Sequence, residues 1–163
     1  VGRFDDEDLP RLGSAFANAV KSCGGALIIA SSDMNHYESH MQTLEKDEHA
    51  LAHLAAFDAP GLLKTCEHED ISMCGAYATA LMLETTHALG ASRVEILEHT
   101  TSGPTSGDYE QVVGYASARV MDSVISWPDG AYWVHCEIYP NGARRLQCST
   151  AAAHFASTPC LSR

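Results

Sequence analysis

Short β-branched runs alternate along this chain with longer segments of helical periodicity. The run "ALIIASS", residues 26–32, is apolar, β-branched and bounded by glycine and serine, and it predicts a short buried strand. Residues 92–102, "SRVEILEHTTS", and 111–120, "QVVGYASARV", predict two more strands around the turn-rich "GPTSGD". Alternation of this kind is typical of an α/β fold in which helices flank a central sheet.

Four other segments predict helices. The segment "DEDLPRLGSAFANAVKSCGG", residues 6–25, has an acidic first turn and a glycine stop, which indicates a helix of roughly 15 residues. Leucines recur at near-helical spacing over 41–57, and a short helix is expected over 61–67. Residues 73–91 are rich in Ala and Leu, and Gly90 is placed to end that helix.

The composition limits the classes of partner that the chain can bind. The chain has 163 residues, and its formal charge of −11 argues against nucleic acid or an anionic membrane as a partner. No apolar run is long enough to span a bilayer, and no secretion signal is recognisable. The six cysteines form no CxxC pair, so we expect reduced thiols and a cytoplasmic protein. The chain begins with Val1, which suggests a fragment.

The character of the sequence changes after Val120. Residues 121–163 carry both tryptophans and half of the six cysteines, with a hairpin signal at "YPNGA". We therefore place a soft boundary near residue 121 and leave residues 121–163 as an unassigned tail, either a β-hairpin or a non-native extension.

Asp33 and His36 follow the predicted strand at its carboxyl end, in "SSDMNH". Ligands of α/β sheets gather at such ends, and an aspartate can orient an imidazole that exchanges protons near neutral pH. The alternative is a turn, because Ser, Asp and Asn favour strand-to-loop junctions through local hydrogen bonds.

Cys74 stands in "ISMCGAY", where the helix of residues 73–91 begins. A thiol at a helix N-terminus is favoured as the thiolate, which binds metals and attacks electrophiles. The alternative is a buried cysteine that packs as a small apolar residue.

Two further histidines have metal-ligand spacing. His49 and His53 are four residues apart on one helix face, but the order of residues is not HExxH, and the neighbouring Lys46, Asp47 and Glu48 indicate a solvated surface. We do not expect a metal there. His68 and His87 are expected on the surface.

Four segments, in their order and separations along the chain, resemble the Memo-like family, whose bacterial and archaeal members are called AmmeMemoRadiSam system protein B. They are "IIASSDMNHY", "ISMCGAY", "ALGASRVEILEHTTSG" and "SGDYEQVVGYASA". The resemblance runs from about Val1 to Arg119. It implies that residues 1–120 are the C-terminal half of a Memo-like domain, related in fold to class III extradiol dioxygenases and incomplete at the N-terminus.

The resemblance also implies a site. Cys74 matches a metal-ligating cysteine, and Asp33 and His36 match an aspartate and a histidine of the same cavity, with His36 as acid or base. The metal is expected to be iron or copper. The family's motifs "PHAGY" and "GPNH" do not occur here, so two metal histidines are expected from an N-terminal half, and the chain alone is expected to be inactive.

Three functions remain open from the sequence. The first is a metal-dependent redox protein, and the second is a non-catalytic scaffold that binds a peptide or partner in the same cleft. The third is a thiol hydrolase with Cys74 as nucleophile, His36 as base and Asp33 as orienting group. The family name implies radical-SAM and Ammecr-type proteins as partners.

Overall fold

The computed structural model describes residues 2–23 and 26–122. After a short 3₁₀ turn the elements follow in this order: α1 (Leu9–Ser22), β1 (His36–Glu38), α2 (His40–Ala55), α3 (Ala59–His68), α4 (Ala76–Ala88), β2 (Ala91–Thr101), α5 (Gly103–Ser106) and β3 (Val112–Asp122). The expected α/β class is confirmed. All four predicted helices and the two strands after residue 90 are present, and α5 is a single turn within "GPTSGD".

Local signals account for the helix ends. Pro10 occupies the first turn of α1, where its missing N–H costs nothing. Asp58 caps α3 by accepting a hydrogen bond from the Gly61 N–H at 2.9 Å. Gly90 follows α4 with a φ of 104°, a conformation that favours glycine and ends the helix as expected.

Within residues 2–23 and 26–122 the sheet has three antiparallel strands in the order β1-β3-β2. Strands β2 and β3 pair along their whole length, from Ala91 opposite Asp122 to Thr101 opposite Gly114, with two register shifts. The short β1 pairs His36 with Val113 on the other side of β3. The sheet is therefore small, and β3 is its central strand.

The prediction of a buried strand at "ALIIASS" is wrong. Residues 26–35 have no regular secondary structure, and the side chains of Leu27 and Ile29 are 48% and 46% exposed. Ala30 is buried, and Ile28 packs partly against the core. A β-branched run supplies local propensity, but a strand also requires a neighbouring strand, and no described strand pairs with this segment.

Helix α4 lies at the centre of the apolar core. Its buried residues surround the helix rather than forming one stripe, which is the pattern of a helix covered on all sides. Helix α1 packs on one side of it and α3 on another, while α2 packs against β2 and β3. The segment before β1 and the loop before α4 are thereby held side by side at one edge of the core.

No helix in the described ranges combines the length and apolar character that crossing a membrane requires. Strand β3 continues to Asp122, through the soft boundary near residue 121. The hairpin predicted at "YPNGA" lies outside the described residues.

Candidate functional site

The structure brings together the three residues that the sequence singled out. One ligand atom each from Asp33, His36 and Cys74 lies within 4.8 Å of the others. Asp33 and His36 come from the segment that enters β1, and Cys74 comes from the loop before α4. Sequence positions about 40 apart thus form one cluster, partly buried and open to solvent on the side of Cys74.

Asp33 and His36 face each other without forming a hydrogen bond. The Nε2 of His36 lies 3.6 Å from the Oδ2 of Asp33, which is too long for a hydrogen bond but within the range of electrostatic attraction. Both side chains are partly buried, so solvent screens this attraction less than it would on an open surface.

Cys74 is tied to the backbone of the opposite segment. Its Sγ accepts a hydrogen bond from the Asp33 N–H at 3.2 Å and lies 3.9 Å from the Oγ of Ser32. The alternative of a buried structural cysteine does not describe Cys74, which is exposed.

Gly75 allows the two segments to approach closely. A Cβ at this position would lie 2.5 Å from the Cβ of Ser32, which no real side chain tolerates. The Gly75 N–H also donates to the Oγ of Ser32 at 2.8 Å. The glycine after Cys74 therefore sets the distance between the thiol and Asp33.

Asn35 and Ser72 support the cluster, although the sequence reading did not single them out. Asn35 is buried, and its Oδ1 accepts from both the N–H and the Oγ of Ser72, each at 3.1 Å. The Ser72 Oγ in turn lies 2.8 Å from the backbone N and 3.2 Å from the Nδ1 of His36. The motif "ISMCG" contains Ser72, so its position two residues before Cys74 was the available signal.

The expectation that Asp47 lies on a solvated surface of α2 is wrong. Its side chain is fully buried; Oδ1 accepts from the Asn35 N–H at 2.9 Å, and Oδ2 lies 3.1 Å from the Nε2 of His99. Gly114 on β3 leaves room for the carboxylate, since a Cβ there would overlap with Oδ2. Asp47 therefore anchors the backbone between Asp33 and His36 to α2 and the sheet.

A tyrosine of β3 borders the cluster. Burial raises the pKa of Tyr115, with smaller contributions from the charges of Asp33 and Tyr37. Tyr37 itself follows His36 with a φ of 60°, a left-handed conformation that is strained for a residue with a side chain. Strain of this kind is often found at functional sites.

His49 and His53 each bind a neighbouring acid rather than sharing a site. The Nδ1 of His49 lies 2.6 Å from the Oε2 of Glu69, and this hydrogen bond raises the pKa of His49. The Nδ1 of His53 lies 2.9 Å from the Oδ2 of Asp58, and its Nε2 contacts Thr65. Among the described residues, neither belongs to a group of metal-ligating side chains. His68 and His87 are exposed, as expected.

Comparison with known proteins gives a family match over most of the chain. The model of the family described as "Memo-like protein" matches residues 1–119. A "MEMO1 family protein" of Methanopyrus kandleri is 44% identical over 91 residues, 56% of this chain and 32% of that protein. A "MEMO1 family protein" of Thermotoga maritima is 44% identical over 107 residues, 66% of this chain and 37% of that protein.

A third relative, from Methanosarcina acetivorans and also described as a "MEMO1 family protein", is 37% identical over 121 residues, 74% of this chain and 45% of that protein. The chain thus spans between 32% and 45% of the length of these three relatives.

Proposed function

This chain belongs to the Memo-like family, and on that basis we propose that it is a metal-binding, redox-related protein whose site contains Cys74, His36 and Asp33. The observation that carries the proposal is the mutual approach of their ligand atoms within 4.8 Å. The same family membership supports, as part of the proposal, a fold related to class III extradiol dioxygenases.

The donor set fits iron or copper. Thiolate sulfur and imidazole nitrogen are ligands that these metals prefer, whereas magnesium and calcium prefer oxygen alone. Ligands that bind one ion at about 2.0–2.3 Å lie no more than roughly 4.6 Å apart. The ligand atoms of Asp33, His36 and Cys74 lie within 4.8 Å of one another, which is close to this limit.

Each residue has a distinct part in this proposal. Cys74 supplies the sulfur ligand, which accepts a hydrogen bond from the Asp33 N–H. His36 holds or releases a proton beside the cavity, and the Asp33 carboxylate lies 3.6 Å from its Nε2. A bound iron or copper ion would supply electron transfer or Lewis acidity. Radical-SAM and Ammecr-type proteins remain proposed partners.

Metal analysis of the purified chain tests the proposal. After reconstitution with Fe(II) or Cu(I) and desalting, the parent should retain metal, and Cys74→Ser should lose most of it. Cys23→Ser is the matched control, because Cys23 is also an exposed free thiol but lies at the end of α1. Equal metal content in the parent and Cys74→Ser would refute Cys74 as a ligand.

One observation favours a partner-binding scaffold as the second candidate. The side chains of Tyr37 and Met41 are both 72% exposed, and Tyr37 directly follows His36. Exposed aromatic and methionine side chains are common at binding surfaces. If the metal-free chain binds a peptide or partner, and Tyr37→Ala abolishes that binding, the scaffold function is favoured.

The thiol hydrolase gains no support from the geometry. The hydrogen-bond partners of the Cys74 Sγ in the described part of the chain are Ser32 and the Asp33 backbone, and His36 is not among them. In a Cys-His-Asp arrangement the histidine activates the cysteine as an adjacent base, and that contact is not among these hydrogen bonds.

A further inference from the structure

We propose that Ser72 and Asn35 are positioning residues that hold a proton permanently on the Nδ1 of His36, so that Nε2 is the nitrogen that exchanges protons or binds metal. This deepens the proposed function and rests on it for the use of Nε2. The position of the proton itself follows from hydrogen bonding alone.

The hydrogen-bond partners of Asn35 fix the orientation of its amide. The Ser72 backbone N–H can only donate, and it lies 3.1 Å from the Asn35 Oδ1. On the other side, the Asn35 Nδ2 lies 2.5 Å from the Oε2 of Glu38. The Lys46 ammonium, which can only donate, lies 2.8 Å from the other oxygen of the same carboxyl, so Glu38 is the acceptor in both contacts. If the amide were rotated, its NH₂ group would face the Ser72 N–H, and its oxygen would face the Glu38 carboxylate.

The hydroxyl proton of Ser72 is committed to Asn35. Because the Asn35 Oδ1 can only accept, the Ser72 Oγ at 3.1 Å must donate to it. A hydroxyl has one proton, so every other contact of this oxygen must be one in which it accepts. The backbone N–H of His36 at 2.8 Å is such a contact.

The protonation of the imidazole follows from its contact with this hydroxyl. The His36 Nδ1 lies 3.2 Å from the same Oγ, whose proton is already committed to Asn35. Nδ1 must therefore carry a proton and donate it. In the neutral ring Nε2 is then unprotonated, and it is Nε2 that faces the Asp33 Oδ2 at 3.6 Å. The exchangeable position of His36 points to the carboxylate, as acid–base or ligand chemistry in the cluster requires.

Nitrogen-15 NMR of the full chain with labelled histidine tests this directly, because protonated and unprotonated ring nitrogens differ widely in chemical shift. His36 is assigned by the loss of its signals in His36→Gln. At alkaline pH we expect the protonated-type signal at Nδ1 and the unprotonated type at Nε2. Two internal references exist: His53, whose Nδ1 faces Asp58, and His99, whose Nε2 faces Asp47.

Variants separate positioning from general stability. Ser72→Ala removes the acceptor and should change the tautomer ratio of His36 roughly fivefold toward Nε2–H, the effect of one ordinary hydrogen bond. Ser72→Thr keeps the hydroxyl and should restore the parent spectrum, while Ser14→Ala, an exposed serine of α1, should leave it unchanged. A neutral His36 protonated at Nε2 in the parent, or an unchanged ratio in Ser72→Ala, would overturn the proposal.

Different results would refute the tautomer proposal and the metal-binding proposal. Loss of the tautomer preference with metal retention intact would refute only the role of Ser72 and Asn35. A fixed Nδ1–H tautomer with metal content independent of Cys74 would refute only the metal function.

Discussion

The backbone N–H of Asp33 donates a hydrogen bond to the Sγ of Cys74 at 3.2 Å, which joins two segments separated by 41 positions. Asp33 thus contacts both other members of the cluster. Its backbone amide binds the sulfur of Cys74, and its carboxylate lies 3.6 Å from the imidazole of His36. The relative placement of thiol, imidazole and carboxylate depends on the backbone of residues 32–36 more than on any single side chain.

Asp47→Ala tests how that backbone is held. The variant removes the acceptor of the Asn35 N–H and the partner of His99. A buried donor that is left without its acceptor costs about 1–3 kcal/mol of the free energy of unfolding. Urea unfolding should show this loss, and Glu48→Ala, an exposed neighbour on α2, should change stability by no more than about 0.5 kcal/mol. Equal effects of the two variants would show that Asp47 is not an anchor.

Asp58 should make the stability of the folded chain depend on pH. The Gly61 N–H, followed by His53, lowers the pKa of Asp58 in the folded chain. A carboxyl with a lowered folded pKa contributes stability above its unfolded value near 3.8, and this contribution disappears as pH falls through the folded pKa.

Asp58→Ala should therefore cost about 1 kcal/mol at pH 7 through loss of the α3 cap, and progressively less below about pH 4. Unfolding curves of parent and variant across this range measure the difference. A difference that grows on acidification would contradict the assigned role.

The described thiols should differ in reactivity. Cys66 is buried, and burial raises its pKa to about 11, whereas Cys74 and Cys23 are exposed. Iodoacetamide at neutral pH should label Cys74 and Cys23 first, and Cys66 only after denaturation, because the thiolate is the reactive form. Peptide mass spectrometry gives the order, and early labelling of Cys66 in the folded chain would be inconsistent with its burial.

Structural features that depend on residues close together in the sequence could be predicted. Gly90 ended α4 as predicted, and the β-branched runs around "GPTSGD" formed β2 and β3. The grouping of Asp33, His36 and Cys74 was also anticipated, because it followed from the motifs that carry the family resemblance.

Features that depend on distant partners were not readable. "ALIIASS" has strand propensity, yet no described strand pairs with it. Asp47 stands between Lys46 and Glu48 in a charged stretch, and only the fold places it opposite Gly114 and His99. The link from Asn35 through Ser72 to His36 likewise joins residues about 36 positions apart.

The central claim is that the Cys74 sulfur binds the metal, and X-ray absorption at the metal edge of the copper- or iron-loaded chain tests it most directly. The claim predicts a sulfur scatterer at about 2.3 Å in the parent and in Cys23→Ser, and its disappearance in Cys74→Ser. A first shell made only of nitrogen and oxygen in the parent, or a sulfur shell that persists in Cys74→Ser, would contradict it.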